Sequence, residues 1–311
     1  MNGRLFGNCR WLIVLACAAV SGAQARDPIQ GSEALTFSDG AFSINYRLYR
    51  PAGWDAPDAD FPVVLFLHGA GERGSNNTSQ VTSHIQGLID ATESGEFAAY
   101  LIAPQVPTGQ QWTDVPFGTG SYSNPTLNAP AISNPLRLTL DLVEQFAGRE
   151  GVDETRLYIT GLSMGGYGTL DAIARKPDLF AAALPLSGGG NLAFASTYVD
   201  IPIWAIHGAA DPTVPPSGSR NTIAAIQNAG GTQERYTELA GQGHVIWAPV
   251  YNNGVFAFDT NYNGTYATDG GDHAYDWMFA QKAVPEPASA LLLTMGGLLI
   301  IGRRWRSTVA R

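Results

Sequence analysis

Cysteine is almost absent from this chain: of 311 residues only Cys9 and Cys17 carry a thiol, and both lie near the N-terminus. The body that follows has no disulfide, no thiol nucleophile and no cysteine metal site, so its stability must come from a buried core. A chain of this length has ample residues for one. Basic residues are scarce as well, 18 Lys and Arg against 27 Asp and Glu, for a net charge of −9. Arg4, Arg10, Arg303, Arg304, Arg306 and Arg311 lie in the two end segments, so the body is more acidic than the whole. That balance argues against nucleic acid or anionic lipid as the main partner and leaves a neutral substrate open. No apolar run reaches the roughly 20 residues that cross a bilayer comfortably. There is no internal repeat.

The two ends stand apart from the body. Arg4 and Arg10 precede the apolar stretch Trp11 to Val20, and Ala23-Gln24-Ala25 forms a small-x-small site. This order predicts a secretory signal peptide cut after Ala25; a buried N-terminal helix would not require it. A lipoprotein reading on Val14-Leu15-Ala16-Cys17 fits poorly, because the apolar stretch before Cys17 is very short. At the other end Pro285-Glu286-Pro287 is followed by the apolar run Ala288 to Ile301 and then by Arg303, Arg304 and Arg306. That order resembles the PEP-CTERM sorting signal of Gram-negative bacteria. The resemblance implies recognition at the inner membrane, removal by an exosortase and a link to exopolysaccharide production. The expected organisation is a signal peptide at 1–25, a folded domain at 26–284 and a sorting segment at 285–311. Membrane contact is expected only through that last segment, which could span with some mismatch.

Within the body, apolar patterning alternates between two periods. Ala41 to Tyr49 alternates apolar and polar residues, as an early antiparallel strand would. The run Pro62 to Leu67 is continuously apolar and predicts a strand buried on both faces. Tyr100 to Ala103, Leu157 to Thr160, Ala181 to Leu186, Ile203 to Ile206 and Glu234 to Leu239 predict further strands. Helical spacing marks Pro135 to Phe146, Tyr167 to Arg175, Ser219 to Asn228 and Ala274 to Gln281. Strands alternating with helices predict an α/β fold, a mostly parallel central sheet with helices on both faces. Trp112 to Asn134 and Asn252 to Asp272 are rich in turn-forming residues and are expected to be surface loops.

The residues with chemical potential follow the strands. Gly161-Leu162-Ser163-Met164-Gly165 is a G-x-S-x-G motif between a predicted strand and a predicted helix. Glycines two residues either side of the serine remove clashes in a strained turn that lifts Oγ out of the sheet. A serine hydroxyl needs a base, and the base needs an orienting acid. Only His207, His244 and His273 follow Ser163. His244, in a loop after the last predicted strand, is the expected base. His207 is expected to be structural at a strand end, and His273 to cap the final helix or lie at the surface. Asp211 follows the buried strand Ile203 to Ile206 and is the expected acid; the competing reading is a turn aspartate before Pro212. Leu67-His68-Gly69-Ala70-Gly71 follows another strand, and the amides of Ala70 and Met164 are the expected oxyanion hole. Trp112 and Trp247 are candidates to line the pocket, with core packing the equal alternative.

Taken together, LHGAGERG, GLSMGGYGT, HGAADPTVP and GHVIW resemble the secreted esterase branch of the α/β-hydrolases. That branch includes dienelactone-hydrolase-like proteins, phospholipase/carboxylesterases and predicted peptidases, with polyhydroxybutyrate depolymerases and feruloyl esterases nearby. The resemblance covers roughly Ala41 to Gln281 and departs at Asn252 to Asp272, which looks inserted. It implies acyl transfer through Ser163, His244 and Asp211 with no cofactor, on an ester substrate that is a small molecule or attached to a polysaccharide. A serine peptidase of the same fold and a non-catalytic surface protein on a hydrolase scaffold are the alternatives. Asp259-x-Asn261-x-Asn263-Gly264 matches the first half of a calcium loop, but Gly270 stands where the bidentate glutamate belongs, so no metal is expected.

Overall fold

The structure, a computed structural model, describes residues 27–124, 131–253 and 273–283. The predicted signal peptide, the sorting segment and the half-matched calcium loop lie outside the described residues.

Eight strands form one sheet in the order β1-β2-β4-β3-β5-β6-β7-β8. They are β1 Ser32–Ser38, β2 Ser43–Tyr49, β3 Phe61–Leu67, β4 Tyr100–Gln105, β5 Val152–Leu162, β6 Ala182–Leu186, β7 Ile203–Gly208 and β8 Glu234–Leu239. β2 runs antiparallel to both β1 and β4, and every other neighbouring pair is parallel. The helices are α1 Gln86–Glu93, α2 Asn134–Ala147, α3 Met164–Arg175, α4 Ser217–Asn228, α5 Trp247–Asn253 and α6 Ala274–Phe279.

Burial on both faces explains why β3 reads as a continuous apolar run. Val63, Leu65 and Leu67 enter one core with Leu136, Leu140 and Val143 of α2, Leu170 and Ile173 of α3, and Ile223 and Ile226 of α4. Val64 and Phe66 enter the other with Leu88 and Ile89 of α1, Val250 and Tyr251 of α5, and Trp277 and Met278 of α6. Alternating side chains of one strand thus feed two layers. α2 starts where the sequence supplies a stop: Ser133 caps it by accepting from the Leu136 amide, with Pro135 in the first turn.

The structure differs from the sequence reading in several places, among them the start of α4 at Ser217 and the end of α6 at Phe279. The antiparallel strand expected from Ala41 begins at Ser43 and pairs with β1, which was not expected. β5 begins at Val152 and not at Leu157. α3 begins at Met164, three residues before the expected Tyr167. α1 and α5 were not expected at all.

The parallel strands are also linked where they end. The amide of Ser163, just past β5, donates to the Leu186 carbonyl of β6 at 2.9 Å. The amide of Ser187, just past β6, donates to Ile206 of β7 at 2.9 Å, and that of Ala209, just past β7, to Leu239 of β8 at 2.9 Å.

Candidate active site

Ser163 sits between β5 and α3 with φ of 54° and ψ of −116°. The left-handed φ is strained for a residue with a side chain, and the turn persists because its surroundings leave no alternative. A Cβ on Gly161 would lie 2.4 Å from the Gly165 carbonyl oxygen, and one on Gly165 would lie 1.9 Å from the Leu67 carbonyl oxygen. Both glycines are therefore sterically required, and the turn is held tight against β3.

Two loops from the C-terminal edge of the sheet complete the group. His244 lies between β8 and α5, and its Nε2 is 2.9 Å from Ser163 Oγ. Its Nδ1 is 2.6 Å from Asp211 Oδ2, in the loop after β7. The loops can approach because residue 208 is glycine: a Cβ there would lie 2.0 Å from the Gly243 carbonyl oxygen. Asp211 Oδ1 accepts from the amides of Thr213 at 2.8 Å and Val214 at 3.0 Å. Burial by itself would push this carboxyl upward, but hydrogen bonds from His207, His244 and the Val214 and Thr213 amides outweigh it and hold Asp211 below the usual carboxylate range. The arrangement can take a proton from Ser163 Oγ onto His244, and the Asp211 carboxylate can stabilise the imidazolium that results.

Met164 is the first residue of α3 and Ala70 the first of a short 3-10 turn, Ala70–Glu72, so neither amide has an acceptor inside its own helix. His68 fixes the turn that carries Ala70. Its Nε2 accepts from the Val106 amide at 2.9 Å, which leaves Nδ1 to donate to the Gly69 carbonyl at 2.6 Å. Burial lowers this imidazole to about 4, so it stays neutral at ordinary pH.

The two candidate tryptophans part company. Trp112 has no exposed surface, and its Nε1 donates to the His68 carbonyl at 2.9 Å. It supports the Ala70 turn from behind and offers a substrate no contact, which corrects the pocket-lining expectation. Trp247 meets the His244 ring edge to face at 5.3 Å and donates to His84 Nδ1 at 3.3 Å, beside the exposed Val245. His273 caps α6 by accepting from the Tyr275 amide.

Two residues enter the site that the sequence reading did not assign to it. Ser187 also has a left-handed φ, 48°, and its buried hydroxyl donates to the His244 carbonyl at 3.1 Å. No pattern in the sequence marks it. His207 lies 3.1 Å from Asp211 Oδ2, and its spacing of four residues from that aspartate was the available signal. Among the described residues no cluster of three or more His, Cys, Asp or Glu side chains is placed to hold a metal ion.

Comparison with known proteins agrees with this frame. A thermostable esterase of known crystal structure superposes with a TM-score of 0.66 at 33% identity, over 82% of this chain and 64% of its own. Poly(3-hydroxyalkanoate) depolymerase C of Paucimonas lemoignei is 27% identical over 214 residues, 57% of this chain and 47% of the depolymerase. Acetylxylan esterase A of Emericella nidulans is 25% identical over 179 residues, 57% of this chain and 53% of that enzyme. The chain thus spans between about half and two thirds of the length of these three proteins. The Esterase family model matches residues 42–280, a span that opens one residue before β2 and closes one residue after α6. Since that span holds seven of the eight strands, β2 to β8, and every residue of the hydrogen-bonded group, the chain belongs to the Esterase family and has the α/β-hydrolase fold.

Proposed function

We propose that this protein is an exported serine esterase that cleaves carboxylic esters through an acyl-enzyme on Ser163. The observation that carries the reading is the continuous chain of hydrogen bonds from Ser163 Oγ through His244 to Asp211, at a strained turn beside a helix N-terminus. Ser163 Oγ attacks the ester carbonyl carbon while His244 Nε2 takes the hydroxyl proton. The amides of Ala70 and Met164 hold the oxyanion. Collapse breaks the bond to the alcohol, which leaves with the proton from His244. Water then attacks the acyl-enzyme, His244 takes its proton, and the acid departs as Ser163 recovers its hydrogen.

The substrate class is an acyl group on a polysaccharide. Support comes from the similarity to an acetylxylan esterase and from the tail at 285–311, which resembles a sorting signal linked to exopolysaccharide production. Export rests on the leader at 1–25, and a domain at 26–284 is released once both ends are processed. Turnover of short-chain chromogenic esters by the exported protein, beside Ser163→Ala, tests the reading. The variant is expected to lose about 10⁴-fold or more in kcat. A wild type that cleaves peptides and not esters would replace the esterase with a peptidase; a folded wild type inert on both would leave a scaffold without catalysis.

A further inference from the structure

The triad carboxylate has a second imidazole on it. Asp211 Oδ2 accepts from His244 Nδ1 at 2.6 Å and also lies 3.1 Å from His207 Nε2. His207, the penultimate residue of strand β7, is fully buried. Its Nε2 faces a second acceptor as well, the Val214 carbonyl at 3.0 Å. An imidazole nitrogen between two acceptors must carry a hydrogen, so Nε2 is a donor whichever way the other nitrogen is protonated. That other nitrogen, Nδ1, lies 2.8 Å from Ser219 Oγ on α4, and Ser219 Oγ lies 3.2 Å from the Gly188 carbonyl beyond β6. The ring is thus pinned at both ends and cannot turn away from the carboxylate.

We propose that His207 is a positioning residue for hydrolysis, which by donating to the same oxygen that supports His244 limits how strongly Asp211 can hold a proton on His244. The inference rests on the serine esterase reading above. Oδ1 is already held by the Thr213 and Val214 amides, so removing His207 leaves the carboxylate in place and changes chiefly the charge on Oδ2. A carboxylate oxygen relieved of one donor carries more charge toward its remaining partner, and the protonated form of His244 is favoured. As the base, His244 must start neutral, so the acid limb of the pH–rate profile then moves to higher pH. The other groups around the pair are the Tyr167 phenol on α3, which feels the charge of Asp211, and the Ser163 hydroxyl and the Trp247 ring against His244; His84 accepts from the far side of that indole, and Glu72 feels the charge of His84. The variants leave these unchanged.

The test is kcat/KM against pH on a short-chain chromogenic ester for wild type, His207→Ala and His207→Gln, with a fluorophosphonate titration of reactive Ser163 in each preparation. His207→Ala is expected to move the acid limb upward by about half to one pH unit. His207→Gln, whose amide can donate from nearly the same point, is expected to return most of the shift. A folding defect lowers the titrated fraction and leaves the midpoint alone, so the midpoint stays readable even if the alanine variant is poorly folded. Coincident acid limbs in wild type and His207→Ala would overturn the inference, as would equal shifts in the alanine and glutamine variants. Turnover retained by Ser163→Ala would overturn the serine esterase reading itself, an outcome distinct from an unmoved midpoint.

Discussion

Replacing Asp211 with asparagine changes one atom, and the surroundings dictate where that atom goes. The amides of Thr213 and Val214 donate to Oδ1, so the asparagine oxygen belongs there and the NH2 group takes the place of Oδ2. That NH2 then faces His244 Nδ1 and His207 Nε2, both donors in the native protein. His207 cannot give way without turning a lone pair toward the Val214 carbonyl at 3.0 Å. His244 can accept from the amide only by moving its hydrogen to Nε2, the atom that faces Ser163 Oγ. The base then has no lone pair for the serine proton. The wrong tautomer in such a triad lowers kcat about 10⁴-fold, which corresponds to about 5 kcal/mol in activation free energy. The donor–donor contact left in the buried site costs a further ~1–3 kcal/mol of stability. In a domain of this size that lowers Tm by about 3–10 °C. Steady-state kinetics on a chromogenic ester, paired with a calorimetric scan, measures both. A folded Asp211→Asn protein with kcat within about tenfold of wild type would refute the tautomer argument.

Gly208→Ala places a methyl group 2.0 Å from the Gly243 carbonyl oxygen and 2.6 Å from that of Gln242, so the loop carrying His244 must retreat. A displacement of about 1 Å is expected to lower kcat about 100-fold, and wild-type kcat in this variant would show that the close approach is dispensable. Glu72, the last residue of the Ala70–Glu72 turn, has its carboxyl pushed up by burial. A raised folded value means that ionised Glu72 weighs against folding at pH 7 and no longer does so below the ordinary carboxylate range, where it is protonated in both states. Glu72→Gln should therefore raise Tm at pH 7 by about 1–2 °C and leave it nearly unchanged at pH 3, in thermal scans across that range.

The sequence disclosed what repeats or is sterically obligatory. β3, β6 and β7 are buried on both faces, so their apolar runs are unbroken and easily read. The glycines around Ser163 and the order of Ser163, Asp211 and His244 were legible because each strand end carries a short, characteristic turn. The first turn of α3 was not, since Gly165 and Gly166 have poor helix propensity; close backbone contacts with Leu67 and Leu186 decide that position instead. β1 escaped because only Leu35 and Phe37 of this edge strand pack on the core. Trp112 sits in a turn-rich segment, and nothing local reveals that its indole fills the space behind His68. Ser187 joins the site through a backbone carbonyl, a partnership no residue pattern can announce.

The bonds that run from each strand exit to the next strand give the site a common datum. Ser163 is referenced to β6, Ser187 to β7 and Ala209 to β8, each through an amide at 2.9 Å. Ser163, Asp211 and His244 sit on separate loops, yet these bonds tie the ends of those loops to neighbouring strands of the sheet. A slip between β7 and β8 would travel along this chain of references to Ser163, whereas insertions further out on the loops would leave it untouched. Such a protein can remodel its rim freely while its chemistry stays in register.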